Sequence, residues 1–374
     1  MGLEVITPAV GEVPFFEKEP FAERDWRDGI LVRTPNWLGD FVMCVPALMQ
    51  LRKLLPESCA LALAAPRGFE EVIEALGPLV QASFLLSDAH SFPTFSEFMI
   101  LRSFHAGAGI LFNNSFRDAL WMKLLDVPRL YGAKARNRSF LLKRALPFPP
   151  RKDFVLNKPH QAAKYLALAE LLGAEKWDGT LPELTLFREM EIYSDEVRAS
   201  LQEEHLLALA PGAMYGSAKK WPPECYAEVC KAYLEKTKGR VALLSAKNEV
   251  ESAKEAVAGL PPERVIFLAG KTTLGELMNI LRHAEICLAN DSGTMHLSAL
   301  VGGRGISVFG STDPAATSPI SPKWRILYDK TECSPCFRRT CPKGTRECLY
   351  RVSPSAVIAE MEKMLEEPRE ERSL

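Results

Sequence analysis

The sequence lacks the features that mark membrane and secreted proteins. No segment of its 374 residues approaches the roughly 18 uninterrupted apolar residues that a membrane-spanning helix needs. The first 28 residues carry acids and prolines, whereas a secretory signal has a basic start and an apolar core. The formal net charge is only −1, so no global field attracts nucleic acid. We therefore expect a cytoplasmic protein that binds no nucleic acid and meets any anionic partner with a local patch.

Length and composition indicate a globular protein of two domains. A chain of 374 residues is long enough for two domains of ordinary size, each with its own core. With 47% hydrophobic and 25% charged residues, the composition is typical of soluble proteins. Cytoplasmic thiols stay mostly reduced, so a cluster among the nine cysteines is more typical of a metal or redox site than of a disulfide framework.

Strand-like and helical stretches alternate along both halves of the sequence. Strand-like runs occupy residues 29–33, 61–65, 83–86, 109–112, 206–210, 240–245, 265–269, 285–289 and 305–309. Such alternation predicts mostly parallel sheets with helices on both faces. We therefore expect an α/β protein of two doubly wound, Rossmann-like domains that face each other across a cleft. The expected segments are an N-terminal extension on or off the first domain (1–28), a first domain (29–190), a second domain (191–352) and a C-terminal helix (353–374).

The run that ends at Ala289 breaks into Asn290-Asp291-Ser292-Gly293 and then resumes with helical spacing. This order predicts a strand, a tight turn and a helix. Free backbone N–H groups and the positive helix end then lie at the end of a strand, where an anion can bind. Asp291 is placed to cap the helix, and Gly293 lets a ligand approach the backbone. Further donors come from Ser292, Thr294 and His296. The alternative is an ordinary capped helix.

A second loop of phosphate-binding character follows the run over 206–210. Residues 211–222 contain Gly212 and two adjacent lysines, Lys219 and Lys220, ahead of a helix that two prolines can begin. A lysine at such a turn supplies a point charge to a diphosphate. Taken alone, the loop is equally typical of a lysine-rich surface. Ligands in open α/β sheets bind at the carboxyl ends of the strands, so this loop and the stretch 290–296 are expected to form one site.

The first domain contributes a different loop and a basic segment. Its first loop, residues 34–40, has a single glycine and lacks the G-x-G-x-x-G fingerprint of dinucleotide-binding domains, and a helix is expected over about 41–55. Residues 123–158 hold ten Lys or Arg against two Asp. This basic segment is either a solvated loop region or a landing surface for a polyanionic acceptor or an anionic membrane leaflet.

Four of the nine cysteines lie close together near the C-terminus. Cys333, Cys336, Cys341 and Cys348 have the spacing C-x₂-C-x₄-C-x₆-C, with basic residues between them. Four thiols within sixteen residues of a reduced chain favour a closed, tetrahedral structural zinc site or, less readily, an iron–sulfur cluster. The spacing is tighter than in a standard zinc ribbon, and disulfides or free thiols are the alternatives. The other cysteines lie in apolar surroundings and are expected to be small core residues.

Several motifs together resemble one enzyme family. The motifs are Pro35-Asn36-Trp37-Leu38-Gly39-Asp40, Asn114-Ser115-Phe116-Arg117, Pro211-Gly212 with Ala218-Lys219-Lys220-Trp221-Pro222, and Asn290-Asp291-Ser292-Gly293-Thr294-Met295-His296. In this order the chain resembles the ADP-heptose:lipopolysaccharide heptosyltransferases of glycosyltransferase family 9, most of all the heptosyltransferase II branch. The resemblance extends over roughly residues 29–365.

The resemblance implies a two-domain glycosyltransferase of the GT-B type. It implies an inverting enzyme that moves L-glycero-D-manno-heptose from ADP-heptose to the lipopolysaccharide inner core, with heptosyl-Kdo2-lipid A as acceptor. The enzyme would lie peripherally on the cytoplasmic face of the inner membrane. Family catalysis needs no metal, which agrees with the missing D-x-D signature, so no catalytic cofactor is expected. The C-terminal helix would pack back toward the first domain, and the sequence predicts no oligomeric state.

The resemblance also implies roles for particular residues. Asp40 matches the general base that takes the proton of the acceptor hydroxyl, although a helix cap is the alternative. Lys219 matches the lysine that binds the donor diphosphate. The other residues assigned to the donor are Lys220, Gly212, Lys247, Asp291, Ser292, Gly293, Thr294 and His296. Those assigned to the acceptor are Asn36, Trp37, Arg117, Arg136 and Arg138. Many relatives lack the four clustered cysteines, so these are not expected to be catalytic.

Two other functions remain open at this stage. Heptosyltransferase I, or another GT-B enzyme with a different sugar or acceptor, would share the motifs at Asp40 and Lys219. A non-catalytic module that binds a nucleotide sugar or nucleic acid would use the cysteine cluster and the basic segments instead. The presence of both Asp40 and Lys219 favours an enzyme, and the near-neutral net charge argues against nucleic acid.

Overall fold

The computed structural model describes residues 2–19, 21–148, 159–186 and 193–368. These residues form two compact units. The N-terminal unit contains the described residues of Val10–Thr185, and the C-terminal unit contains those of Leu186–Leu374 together with Met1–Ala9. The chain opens with strand β1 (Leu3–Ile6), which belongs to the C-terminal unit. The α/β class predicted from the sequence is confirmed, whereas the expected junction at 190/191 lies outside the described residues.

The N-terminal unit is built on a six-stranded sheet in which every pairing is parallel. Its strands are β2 (Gly29–Arg33), β3 (Ala60–Pro66), β4 (Ala82–Leu86), β5 (Ala108–Leu111), β6 (Arg129–Ala133) and β7 (Arg144–Leu146). Its helices are α1 (Leu38–Leu54), α2 (Glu70–Ala75), α3 (Phe95–Ser103), α4 (Phe116–Leu124) and α5 (Gln161–Leu171). Strand β2 lies at the centre, and all of its residues are buried, as expected for a parallel strand covered on both faces.

The C-terminal unit has a seven-stranded sheet. Besides β1, its strands are β8 (Leu206–Ala210), β9 (Arg240–Leu243), β10 (Val265–Phe267), β11 (Ile286–Asn290), β12 (Gly305–Phe309) and β13 (Trp324–Asp329). Its helices are α6 (Asp195–Gln202), α7 (Pro223–Lys236), α8 (Val250–Lys254), α9 (Leu274–His283), α10 (Gly293–Leu300), α11 (Pro314–Thr317), α12 (Glu347–Tyr350) and α13 (Pro354–Glu366). All pairings are parallel except that of β1 with β13.

The strand order places a ligand crevice in each unit. The sheets run β4-β3-β2-β5-β6-β7 and β10-β9-β8-β11-β12-β13, with β1 added at the end of the second. Numbered within each unit, both follow the order 3-2-1-4-5-6 of doubly wound nucleotide-binding folds. The order reverses between β2 and β5 and between β8 and β11. At these switch points the connecting helices leave in opposite directions, and the loops after the two strands face an open crevice.

The N-terminal extension does more than lie on or off the first domain. Residues 3–6 pair antiparallel with β13, from Leu3 opposite Asp329 to Ile6 opposite Ile326. Strand β1 thus covers an edge of the C-terminal sheet that would otherwise present unpaired backbone groups. The sequence did not reveal this, because a four-residue strand that leaves most of its side chains exposed has no apolar pattern pointing to a particular sheet.

The last helix, which was expected to pack back toward the first domain, belongs to the C-terminal unit. Helix α13 begins after Ser353, whose hydroxyl accepts a hydrogen bond from the Ala356 N–H, with Pro354 in the first turn. Its buried residues Val357, Met361 and Met364 belong to the hydrophobic core of the C-terminal unit. Apolar residues at this spacing line one helical face, and that face covers α7 and the sheet of its own unit.

No helix within the four described ranges is long and apolar enough to cross a membrane.

Replacing Met361 with alanine should destabilise the C-terminal unit. The side chain is 1% exposed, so the change removes buried methylene groups and leaves a cavity, at a cost of roughly 2–4 kcal/mol. The neighbouring Glu362 is half exposed and pairs with Lys236 at the surface, so Glu362→Ala should cost less than about 1 kcal/mol. Urea unfolding followed by tryptophan fluorescence measures both. Equal losses for the two variants would mean that α13 does not complete this core.

Candidate functional site

Two loops meet at the switch point of the C-terminal sheet. Strands β8 and β11 are neighbours, with Ala210 beside Ala289 at their carboxyl ends. The loop over residues 211–220, here called the β8 loop, follows the first strand, and residues 291–292 follow the second. Asn290 ties the two together, because its side-chain amide donates to the Pro211 carbonyl while its oxygen accepts the Trp221 N–H. The prediction that both loops lie at one edge of one sheet is confirmed.

A buried ion pair joins these two loops. The Lys219 ammonium lies 2.5 Å from the Asp291 carboxylate, and the Thr312 hydroxyl donates to the same carboxylate oxygen at 2.6 Å. The side chains are 13% and 5% exposed, respectively. Asp291 was expected to cap the helix. In the structure its carboxylate instead holds the lysine in the crevice. A lysine that remains slightly exposed beside a buried carboxylate can still contact a ligand at the surface.

The N-terminus of α10 provides the second part of an anion site. The helix begins at Gly293, and its N-cap is Ser292, which has an extended backbone. Within the described part of the chain, the buried Ser292 hydroxyl has no hydrogen-bond partner and does not cap the helix. The first-turn amides, including those of Gly293 and Thr294, have no partners inside the helix. Together with the helix dipole they favour a bound anion beside Lys219.

Lys220 points to a different carboxylate, one that sequence reasoning missed. Its ammonium lies 2.7 Å from Glu249, which also accepts a hydrogen bond from the Ala213 N–H. Gly212 allows this approach, since a Cβ there would lie 2.6 Å from Glu249 Oε2. The carboxylate follows the second strand of the unit, where nucleotide-binding folds often carry the acid that contacts ribose. The one signal for Glu249 in the sequence is its position, two residues after Lys247 and shortly after a strand end.

The other two residues assigned to the donor, Lys247 and His296, have different environments. Lys247 is exposed in a 3₁₀ turn (Lys247–Glu249) after β9, on the same loop as Glu249. His296 is only 3% exposed in the second turn of α10, with its side chain in the interior of the unit. This burial favours a role for His296 in packing the helix over a direct contact with a ligand.

The switch point of the N-terminal sheet carries Asp40. Helix α1 begins at Leu38, three residues earlier than expected, so Asp40 lies in its first turn and not at the N-cap position. The N-cap residue is Trp37, whose side chain is 47% exposed. Within the described residues it makes no capping hydrogen bond. Asp40 is half-buried. The pKa of the Cys44 thiol, one turn further along α1, is raised mainly by burial and to a smaller extent by the charge of Asp40.

A second buried ion pair fixes the loop that leads to Asp40. Arg33, at the end of β2, lies 2.9 Å from Asp118 of α4, and both side chains are essentially inaccessible to solvent. Burial is the main reason that the pKa of the Arg33 guanidinium is lowered, and the Asp118 charge opposes it. Arg33 also donates to the Asn36 side chain at 2.7 Å. The side chain of Asn36, which was assigned to the acceptor, is thus oriented by a buried arginine that the sequence analysis did not identify.

The arginines assigned to the acceptor have different environments. Arg117 donates to Asp118 and to the Ala89 carbonyl and remains about one quarter exposed. Arg136 is exposed, in a turn with φ 46°. Arg138 is fully buried and donates to the carbonyls of Ala133 and Ser115, and burial lowers its pKa to about 10. Arg138 therefore supports the loop from inside the unit, which corrects its assignment to the acceptor.

Part of the basic segment also serves the fold. Arg129 pairs with Asp25 at 2.9 Å and lies over the Phe21 ring, and Arg144 donates to the Glu17 carbonyl. These two residues anchor the stretch that precedes β2. The predicted landing surface is therefore smaller than the count of charges indicated, and its part over 149–158 lies outside the described residues.

The four clustered cysteines line one small cavity. Its volume is about 20 Å³, and Ala218 and Ser311 also line it. The pKa of Cys348 is raised to about 11, mainly by burial and to a smaller extent by the other three thiols of the cluster. Burial tends to raise the pKa of Cys341, but hydrogen bonds from backbone N–H groups, Arg346 first, hold it below its usual value. Among the residues that the structure describes, no group of three or more His, Cys, Asp or Glu side chains is arranged to hold a metal ion.

Comparisons with known proteins agree with this geometry. The chain is similar to lipopolysaccharide heptosyltransferase 2 from Salmonella typhimurium, with 27% identity over 354 residues, 90% of this chain and 99% of that protein. It is 26% identical over 352 residues to lipopolysaccharide heptosyltransferase 2 from Escherichia coli, covering 90% and 98%.

Solved structures of low sequence identity share the fold. The structure of E. coli ADP-heptose lipopolysaccharide heptosyltransferase II matches with a TM-score of 0.70 and 24% identity over 90% of this chain and 98% of that one. A glycosyl transferase family 9 structure from Veillonella parvula matches with a TM-score of 0.75 and 19% identity over 90% and 96%. The GT-B-type fold class that the resemblance implied is thereby confirmed. The family model for glycosyltransferase family 9 (heptosyltransferase) matches residues 98–346, two thirds of the chain and all of the β8–β11 switch point, and the chain is a glycosyltransferase that belongs to this family.

Proposed function

We propose that the protein transfers L-glycero-D-manno-heptose from ADP-heptose to the inner core of lipopolysaccharide, with inversion at the anomeric carbon. The observation that carries the proposal is the anion site at the β8–β11 switch point, where Lys219 and the N-terminus of α10 meet. Relatives named lipopolysaccharide heptosyltransferase 2 align with this chain over 90% of its length, which supports the choice of sugar and acceptor.

The C-terminal unit is suited to hold the diphosphate of the donor. Lys219 supplies a positive charge, and the free amides at Gly293 and Thr294 supply hydrogen bonds. Asp291 would repel a diphosphate in direct contact, so its role is to keep Lys219 extended in the crevice. As the glycosidic bond breaks, charge accumulates on the leaving ADP, and preorganised donors of this kind stabilise it.

The N-terminal unit is suited to activate the acceptor. Asp40 takes the proton of an acceptor hydroxyl while the oxygen attacks the anomeric carbon, and ADP leaves with the electrons of the broken bond. The half-buried carboxylate lies in the first turn of α1, directly after the loop that follows β2. Asn36, Trp37, Arg117 and Arg136 are the acceptor-side groups that remain partly or largely exposed.

Kinetic roles of Asp40 and Lys219 should separate. Asp40→Asn removes the proton acceptor and should lower kcat roughly 10²- to 10⁴-fold while leaving the Kd for ADP unchanged. Lys219→Met removes a charged contact to the diphosphate and should raise the Kd for ADP by roughly 10- to 100-fold. Calorimetry and steady-state kinetics measure these quantities.

Lys231→Met is the matched control for this pair, because Lys231 lies on the solvent side of α7 and is 73% exposed. It should change neither parameter. An Asp40→Asn enzyme with full turnover would exclude this carboxylate as the base, and unchanged ADP binding in Lys219→Met would remove the lysine from the donor site.

A transfer assay with defined acceptors tests the function as a whole. ADP-heptose is offered with Kdo2-lipid A cores that carry no heptose, one heptose or two heptoses, and ADP release and product mass are followed. Product from the one-heptose acceptor alone is expected. Product from the heptose-free acceptor would indicate a heptosyltransferase I, and product from the two-heptose acceptor alone a later core enzyme. Absence of product and of ADP-heptose binding would contradict the proposal.

We further propose that the protein works peripherally at a membrane surface, where a lipid A acceptor resides. Helix α3 supports this, since Phe98 and Leu101 pack into the core while its other face exposes apolar side chains. Phe95 is 81% exposed and Ile100 57% exposed, and Met99 lies between them. An apolar patch of this kind is typical of a surface that contacts lipid or another protein.

The double variant Phe95→Ser/Ile100→Ser should bind lipid vesicles roughly tenfold or more weakly, because two large apolar side chains no longer enter the bilayer surface. Flotation with vesicles of phosphatidylethanolamine and phosphatidylglycerol measures this. Leu124→Ser on α4, where the side chain is about as exposed as Ile100, is the control and should bind normally. Full vesicle binding by the double variant would rule out α3 as the contact surface.

A further inference from the structure

The cysteine-rich segment, residues 333–348, packs against the β8 loop. It contains neither strand nor helix until α12 begins at Glu347. The Ala218 N–H donates to the Arg339 carbonyl at 3.0 Å, and the Tyr215 hydroxyl donates to the Phe337 carbonyl at 2.9 Å. At Gly216, with φ 150°, a Cβ would lie 2.3 Å from the Arg339 carbonyl oxygen. The two backbones are therefore in direct contact just before Lys219.

The same segment is attached to the strand ends on its other side. The Phe337 N–H donates to the Ser311 carbonyl at 2.7 Å, directly after β12. A Cβ at Gly310 would lie 3.0 Å from the Cys348 sulfur, so this thiol rests on the backbone at the end of the strand. The segment thus connects the sheet edge to the loop that carries Lys219, and its own rigidity determines how firmly that loop is held.

Little that is regular holds this segment in shape. Phe337 and Arg346 have φ values of 54° and 48°, a left-handed conformation that bulky side chains rarely adopt. Such backbone conformations persist only where the surroundings fix them. All four cysteines of the segment are free thiols, so no disulfide provides the constraint. The four thiols are the groups placed to make a cross-link of another kind.

The cavity between the thiols has the size of a single small occupant. A space of about 20 Å³ accommodates one water molecule or one metal ion. Besides the four cysteines it is lined by Ser311, whose buried hydroxyl has no partner within the described ranges. Four thiolates around one ion form the tetrahedral site that zinc prefers.

We propose that Cys333, Cys336, Cys341 and Cys348 bind one metal ion, preferably zinc, and that this centre holds the β8 loop so that Lys219 reaches the donor diphosphate. On binding, the four thiols lose their protons to solvent and the sulfurs turn into the cavity to form four metal–sulfur bonds. No electron is transferred. The site then carries a net charge of −2, which the neighbouring cations of the segment, Arg338, Arg339, Lys343 and Arg346, offset.

The test begins with the metal itself, on the full-length protein purified without chelator. Elemental analysis should find one zinc, or one iron, per chain, without acid-labile sulfide. Cobalt exchanged into the site should give the sulfur-to-cobalt charge-transfer band of a tetrahedral thiolate centre. Cys336→Ser and Cys341→Ser should each lose the metal, whereas Cys225→Ala, a buried cysteine of α7, should keep it. Absence of metal, labile sulfide, or disulfides in the mass spectrum would overturn the site.

The effect on the loop rests on the proposed function and is read separately by ADP calorimetry. Cys336→Ser, and wild type stripped of metal by a chelator, should bind ADP at least tenfold more weakly, and restoring zinc to the stripped wild type should recover the affinity. Circular dichroism establishes that the stripped protein is folded. Unchanged ADP affinity after metal loss would overturn the link to Lys219. If the wild type bound no ADP at all, the proposed function would fail while the metal stoichiometry would still decide the site.

Discussion

A buried ion pair bridges the switch point of each sheet. Arg33 and Asp118 join the end of β2 to α4, which follows β5, and Lys219 and Asp291 join the loops after β8 and β11. Each pair therefore connects the ends of the first and fourth strands of its unit, or the segments that follow them. Removing one partner of such a pair leaves an uncompensated buried charge, at a cost of about 3–5 kcal/mol. The loops that carry the functional groups are thus fixed by electrostatics at the point where the sheet leaves a gap.

The two pairs differ in accessibility, and this difference matches their roles. Arg33 and Asp118 are sealed from solvent, so the first pair only supports Asn36 and the turn that leads to Asp40. Lys219 keeps 13% of its side chain exposed, and α10, whose first-turn amides have no partners inside the helix, begins two residues after Asp291. An anion that arrives there gains a cation already oriented by a buried carboxylate, so little reorganisation accompanies binding. One arrangement thus stabilises a loop in one unit and prepares a ligand site in the other.

The sequence predicted what depends on strand ends and missed what depends on distant contacts. Runs such as Leu206–Ala210 and Gly305–Phe309 are strands at the expected residues, and parallel strands necessarily bring Lys219 and Asp291 to one edge. The burial of Arg138, the role of Glu249 and the pairing of β1 with β13 were not predictable in this way. An arginine inside the unit and one in a solvated loop look alike in a basic stretch, because only the tertiary carbonyl acceptors distinguish them.

The β8 loop shows why such a site needs support from outside the sheet. It has short turns at 214–215 and Ser217–Lys219 but no longer regular element, and its glycines at 212 and 216 permit many backbone conformations when free. Glu249 holds it on one side through Ala213 and Lys220, and the cysteine-rich segment holds it on the other through Ala218. A loop fixed on both sides loses little further entropy when it binds a diphosphate. If the proposed function holds, the rigidity of the cysteine-rich segment contributes to affinity for the donor, although none of its thiols is expected to contact the reacting atoms.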